Sequence, residues 1–262
     1  MDLKSVHVSP EGYPCHNFLE QLGGSERTVT VVIAPILVSE KEGVARISWG
    51  CSRGPFCFSN CITQRGEDMI YLVRHAQTAL SAEGRFQGCK ENVPLSKLGV
   101  EQARCLQGCL PSVLAFVSPM RRAQETARYA LDDAPRLLIV GDLRDVDIGK
   151  LGGLSHAEAR EQFPRWFRKW ERNKLILSCP GGENVVSVYR RVCRILHNLP
   201  SDCIIVSHGV IIRLLLALLV GLRPWHYRRL KVEECSISCF DPEKRMLMKL
   251  NDTSHLRDLC TY

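Results

Sequence analysis

Apolar and polar positions along most of this chain fall into two alternating kinds of block. Short aliphatic, β-branched runs stand at residues 70–73, 112–117, 137–140 and 202–207, each bounded by polar or turn-forming residues. Runs of that length and composition read as buried strands. Between them lie longer stretches with apolar positions at helical spacing. Residues 98–110 follow Pro94-Leu95-Ser96, and residues 119–131 follow Ser118, the expected N-cap, with Pro119 at the first helical position. Ser155-His156-Ala157-Glu158 is a capping box that opens a further helix. Residues 236–240 and 246–250, around Asp241-Pro242-Glu243-Lys244, predict a hairpin added to the sheet. Strands separated by helices predict an α/β fold, a three-layer α/β/α sandwich with a mostly parallel central sheet.

The most apolar stretch, residues 210–222 (VIIRLLLALLVGL), is too short to span a membrane and contains Arg213. It reads as a helix buried in the core. No stretch reads as a signal peptide. The first 68 residues differ from the rest, with one strand over residues 29–38 in a background rich in Gly, Ser and Cys. They form an N-terminal extension to a domain over residues 69–262. Three readings are open for it: an accessory layer, a poorly ordered extension, or a mis-assigned start. In the third, the natural protein begins at Met69, immediately before the first strand, and a purine-rich tract encoding Gly66-Glu67 serves as a bacterial ribosome-binding site.

Composition changes this picture little. Hydrophobic residues make up 45% and charged residues 24% of 262 positions, enough for a sizeable core. The net charge of +7 is uneven: residues 1–68 hold 6 Lys/Arg against 8 Asp/Glu, and the remainder 29 against 20. No basic run with interleaved aromatics accompanies the excess, so attraction of small anions is expected rather than nucleic-acid binding. The 13 cysteines are odd in number and scattered, which suits reduced thiols in a cytoplasmic protein. Cys51, Cys57 and Cys61 cluster without the paired spacing of a zinc site, so no metal centre is expected there.

The chemistry-bearing residues stand at strand ends. The run ending at Val73 continues into Arg74-His75, which delivers a cation and an imidazole to the carboxyl edge of the sheet, where open α/β folds bind ligands. Arginine there suits an anion; the histidine is open among nucleophile, general base and metal ligand. After the second strand comes Arg121-Arg122. An arginine in the first turn of a helix opposes the macrodipole unless an anion is near, and Arg122 is the better candidate. The run ending at Ser207 leads into His208-Gly209, a second strand-end histidine with a glycine that permits close backbone approach. Asp145 and Asp147 follow the third strand; a carboxylic acid beside these groups can shuttle a proton for a leaving oxygen. Pro180-Gly181-Gly182-Glu183-Asn184 reads as a turn feeding a helix.

Taken together, LVRHAQT (72–78), FQG (86–88), PLSKLGVEQA (94–103), SPMRRAQETA (118–127), PGGEN (180–184), VSHGVIIR (206–213) and LNDTSHL (250–256) resemble the histidine phosphatase superfamily, the phosphoglycerate mutase-like proteins, from Met69 to about Leu256. The resemblance implies that His75 accepts the phosphoryl group, that Arg74 and Arg122 clamp its oxygens and that His208 donates a further hydrogen bond. The family's glutamate acid falls on Asp145, one methylene shorter, with Asp147 as the fallback. Gln87 and Gly209 fall in the phosphate-binding surroundings. Ser81 stands where an asparagine usually helps hold the phosphate, and Ala76 replaces the common glycine after the histidine. No metal or other cofactor is implied.

Residues 149–154 lack the E-R-H-Y-G-type segment of glycolytic mutases, and the 194 residues from Met69 are compact. The chain therefore resembles the phosphatase branch, including α-ribazole phosphatases, with residues 163–178 as a substrate lid. Trp166 and Trp170 share one helix face there, for packing or for contact with the leaving group, while Arg165, Arg168, Lys169 and Arg172 form a solvated face or draw a second anion. The expected partner is a small phosphorylated metabolite, with no nucleic acid and no membrane; a homodimer is compatible with the sequence. The alternatives are a phosphoglycerate mutase-type phosphotransferase and a non-catalytic phospholigand-binding protein. If Met69 is the natural start, mass spectrometry of protein isolated from its native source finds Met69 at the N-terminus. Peptides from residues 1–60 would overturn that reading.

Overall fold

The structure is a computed structural model that describes residues 33–38, 44–51, 68–131, 137–172 and 178–261. Residues 29–32, Cys57, Cys61, Gly66 and Glu67 lie outside the described residues, as does the side chain of Arg172. In chain order the elements are β1 (Ile33–Val38), β2 (Val44–Cys51), β3 (Ile70–Arg74), α1 (Ala79–Ala82), α2 (Lys97–Arg104), β4 (Ala115–Val117), α3 (Arg121–Ala130) and β5 (Leu137–Val140). They continue with α4 (His156–Gln162), α5 (Pro164–Arg172), α6 (Val185–His197), β6 (Cys203–Ser207), α7 (Gly209–Leu219), β7 (Ile237–Asp241) and β8 (Met246–Asp252).

The strands form one sheet in the order β1-β2-β5-β4-β6-β3-β7-β8. The pairs β3–β6, β6–β4, β4–β5 and β5–β2 are parallel, and the β7–β8 hairpin joins β3 antiparallel. The expected mostly parallel α/β sheet is therefore present. Its pleat separates two apolar faces. Val73, Val117, Ile204 and Val206 pack with Ala103, Leu106, Ala123 and Ala127, from α2, its following turn and α3. α7 lies against β3 and α6. Its residues Ile211, Ile212 and Leu214 to Leu219 are all buried, each large side chain contributing on the order of 2 kcal/mol. The helix predicted over residues 210–222 stops at Leu219 because Gly221 takes φ +69° and turns the chain outward.

Three boundaries differ from the sequence expectation. The helix at residues 98–110 ends at Arg104, where i→i+3 bonds from Leu106 and Gln107 tighten the chain towards Gly108 at φ +72°. The strand at 112–117 shortens to β4, since Val113 N bonds Pro111 O in a turn. Ser118 and Pro119 are not the cap and first residue of α3. Ser118 N still bonds Val206 O in the sheet, so the helix starts two residues later, with Met120 at the cap and no side-chain cap bond.

Beside the main core a smaller cluster joins Leu151, Ala159 and Phe167 with Phe86, Trp166 and Trp170. It is built from α4, α5 and the segments beside them, and the Ser155–Glu158 capping box opens α4 as expected. Trp166 and Trp170 stack at 5.8 Å and pack against this cluster. Arg165, Arg168 and Lys169 are exposed, a solvated face.

Candidate active site

In-register pairing sets Arg74 of β3 opposite Ser207 of β6. The next residue of each strand, His75 and His208, therefore emerges at the same edge. Their ring centroids lie 5.1 Å apart and both rings are buried. His75 Nδ1 is 2.8 Å from Ala76 O. A carbonyl only accepts, so Nδ1 carries the hydrogen and Nε2 presents a lone pair. Ala76 N donates to Thr126 Oγ1 (3.0 Å), which donates to Arg122 O (2.7 Å), so the turn after β3 is tied to the helix that supplies the second arginine.

His208 Nε2 lies 2.7 Å from Ser118 Oγ, which accepts from Met120 N. The Ser118 hydroxyl can donate to Nε2, and the Asp145 carboxylate near Nδ1 favours the tautomer with its hydrogen there. That Nδ1 sits 3.4 Å from Asp145 Oδ2 but is not aligned for a hydrogen bond. Arg122 is fully buried and donates to Asp145 Oδ2 (2.8 Å), Gly88 O (3.1 Å) and Glu91 O (3.0 Å). Arg74 donates to Val232 O (3.0 Å) and Glu234 Oε1 (3.3 Å). Arg121, by contrast, is exposed and pairs with Glu125. Of the two arginines, Arg122 is the one that faces inward.

Burial pushes the pKa of His75 well below its ordinary value, and His208, Arg122 and Arg74 push it further; the bond to Ala76 O opposes them. His208 is lowered likewise, by burial first and then by Arg122, Arg191 and Arg74. Both imidazoles are therefore held neutral, the form a nucleophile requires. Arg74 Nε, Arg122 Nε, Gln87 Nε2 and His208 Nδ1 are all buried and lack a partner. Four unpaired buried donors are expensive, on the order of 1–3 kcal/mol each. All are donors, so the group that satisfies them is an acceptor, and the two guanidinium groups make an oxyanion the natural one.

Gly209 fits this account: a Cβ there would stand 3.5 Å from Arg74 Nε. Ser81 does not reach into the site through a free hydroxyl. Its Oγ accepts from Thr78 N and donates to Thr78 O in the capping box of α1. Gln87 is fixed through Oε1, which accepts from Thr78 Oγ1, leaving Nε2 as the donor. Asp147 is held away: Gly149 N donates to it at 2.9 Å and Lys90 pairs with it at 3.1 Å. Asp145, not the fallback, is the carboxylate among the histidines and arginines.

Sequence reasoning missed Glu183 and Arg191. Arg191 is buried on α6 and donates to the carbonyls of Asp142, Arg144 and Asp145 and to Glu183. Glu183 also accepts from Arg144 and from Asp147 N. The pair clamps the loop that carries Asp145. A signal was present: Arg191 interrupts the apolar stripe of Val188, Val192 and Ile195.

Residues 70–253 match the family model of the Histidine phosphatase superfamily (branch 1). The chain belongs to this superfamily. It is similar to 2-carboxy-D-arabinitol-1-phosphatase of Triticum aestivum, 30% identical over 200 residues, 70% of this chain and 40% of that protein. The chain thus spans less than half the length of that wheat relative. It is also similar to phosphoserine phosphatase 1 of Hydrogenobacter thermophilus, 30% identical over 199 residues, 71% of this chain and 93% of that one. The crystal structure of the α-ribazole phosphatase from Shigella flexneri superposes with a TM-score of 0.65 at 26% identity, covering 70% of this chain and 96% of that chain.

The neutral histidines make stability depend on pH. Their folded pKa values lie below the ordinary 6.5, so below that pH the unfolded chain binds more protons than the folded one. The contribution is complete above pH 6.5 and is lost as pH falls towards the folded values. Urea midpoints of the parent chain should therefore drop more between pH 7.5 and 5.5 than those of His75→Gln. Equal drops would show that His75 is not held neutral.

Proposed function

We propose that this protein is a metal-independent phosphomonoester hydrolase that works through a phosphohistidine at His75 on a small phosphorylated metabolite in the cytoplasm. α-Ribazole 5'-phosphate is one candidate substrate. The observation that carries the reading is the tautomer of His75: with Nδ1 committed to Ala76 O, Nε2 is a neutral nucleophile among four unpaired donors. The names of the similar phosphatases support the hydrolase reading. Among the described residues, no helix is long and apolar enough to cross a membrane.

In the proposed sequence, Nε2 attacks phosphorus in line, and the bond from phosphorus to the ester oxygen breaks. Arg74, Arg122, Gln87 and His208 hold the three non-bridging oxygens, so charge gathering there meets donors already in place. The phosphoryl group replaces Asp145 as the partner of Arg122. The freed carboxylate takes the proton of the bound phosphate monoanion and passes it to the leaving alkoxide, then takes one from the water that attacks phosphorus and breaks the N–P bond. Inorganic phosphate leaves, and His75 is restored. Positioning and fixed charge carry the reaction.

His75→Ala should abolish hydrolysis of p-nitrophenyl phosphate, and the parent chain quenched during turnover should carry an acid-labile, base-stable phosphoryl group. A variant with the parent rate removes His75 as nucleophile. Asp145→Asn should lower kcat by about 10²–10⁴-fold with p-nitrophenyl phosphate replaced by an alkyl phosphate, whose leaving group needs the proton. Full activity of Asp145→Asn on the alkyl ester would assign the acid elsewhere.

A further inference from the structure

Arg213 has no part in the phosphoryl chemistry above, yet it stands beside it. It lies on α7 four residues after Gly209, so the two share one helix face, a turn apart. The Gly209 end of that face approaches the Arg74 guanidinium, since a Cβ at Gly209 would stand 3.5 Å from Arg74 Nε and 3.7 Å from Cζ. Arg213 is half-buried, and its Nε is a buried donor with no partner.

Every other arginine at least partly buried among the described residues has an acidic partner. Arg74 has Glu234, Arg85 has Glu158, Arg122 has Asp145, and Arg144 and Arg191 share Glu183. Arg213 has none. The charges bearing on it are mainly of its own sign: burial and the cations of Arg74 and Arg228 disfavour its charged form, with Tyr227 opposing. Arg228 itself is engaged over the Trp170 ring at 4.8 Å. A guanidinium withdrawn from water without a counter-charge is held at a cost, which an arriving anion removes.

We propose that Arg213 receives a second anionic group of the substrate, a carboxylate or a second phosphate, about one helical turn, roughly 6 Å, from the phosphoryl cradle. The proposal rests on the phosphatase reading and narrows its substrate class to small phosphomonoesters carrying two anionic groups. The planar fork suits either group. A site built to pair a buried donor discriminates strongly against a ligand that leaves it unpaired.

Three ligands of similar length separate the possibilities: 3-phosphoglycerate, propane-1,3-diol bisphosphate and glycerol 3-phosphate, which has only one anionic group. Calorimetric titration of the full chain carrying His75→Ala reads their binding without turnover, before and after adding Arg213→Gln. At least one two-anion ligand should lose about tenfold or more affinity beyond any loss of glycerol 3-phosphate, and which one it is identifies the group. Arg213→Lys should recover part of that difference and also shows that a change at this position permits folding. Equal losses for all three ligands, or none, overturn the proposal. In the chain with His75 intact, KM for the favoured ligand should rise under Arg213→Gln more than kcat falls. A binding contrast without any turnover would leave the subsite standing and remove the phosphatase reading alone.

Discussion

The site depends on one register. Parallel pairing of β3 with β6 places Arg74 opposite Ser207, and that pairing brings two histidines from distant parts of the chain to adjacent positions. A slip of one residue would move the buried side chains of one strand to the wrong face as well as separating the rings, because side chains alternate faces. The register is therefore held by the apolar core, not by the polar residues that use it. Val73 and Val206 are almost fully buried, as are Leu72 and Ile205 on the other face. Central strands buried on both sides can carry a polar site at their carboxyl ends because none of their own length is needed for it.

That edge gathers cations in a way that works against the folded state alone. Arg122 and Arg191 are buried; burial first, and then the charges of Arg122 and Arg74, depress both histidines, with Arg191 adding to the effect on His208. The fold offsets part of this with Asp145, Glu183 and Glu234. It leaves Arg74 Nε, Arg122 Nε, Gln87 Nε2 and His208 Nδ1 unpaired. Buried donors that cannot satisfy one another are suited to an oxyanion. The Arg122–Asp145 bond has a double effect. It prevents a lone buried guanidinium, and it fixes the carboxylate beside His208.

Much of this was legible in the sequence because strand-end motifs carry their own geometry. An apolar run that stops at Arg74-His75, and another that stops at Ser207-His208, can only present those residues at a sheet edge. Arg122 was distinguishable from Arg121 by its helix position, and the structure places the first inside and the second against Glu125. Hydrogen bonds between remote side chains were not legible. Ser118 carries every local mark of an N-cap, yet its hydroxyl serves His208, ninety residues on, and its amide remains in the sheet. Ser81 shows the converse: the resemblance sets it where an asparagine usually helps hold the phosphate, and local capping takes its hydroxyl. Side chains with two competing partners are decided by tertiary distance, which spacing along the chain does not contain.

The shorter acid is the sharpest case of such a decision. An aspartate in place of glutamate loses one methylene of reach, and the loop bearing it could not make up the difference if it moved freely. It does not move freely. Arg191 grips three successive stretches of its backbone, at Asp142, Arg144 and Asp145. Gly182 packs so tightly on Asp147 O that a Cβ would collide, and a Cβ at Gly88 would come within 2.6 Å of Val146 O. Glu183 closes the arrangement by accepting from Asp147 N. The backbone is thereby fixed near enough for Asp145 Oδ2 to stand 2.8 Å from Arg122 and 3.4 Å from His208. The position of the Asp145 carboxylate therefore depends on Arg191 and Glu183, which hold the loop that carries it.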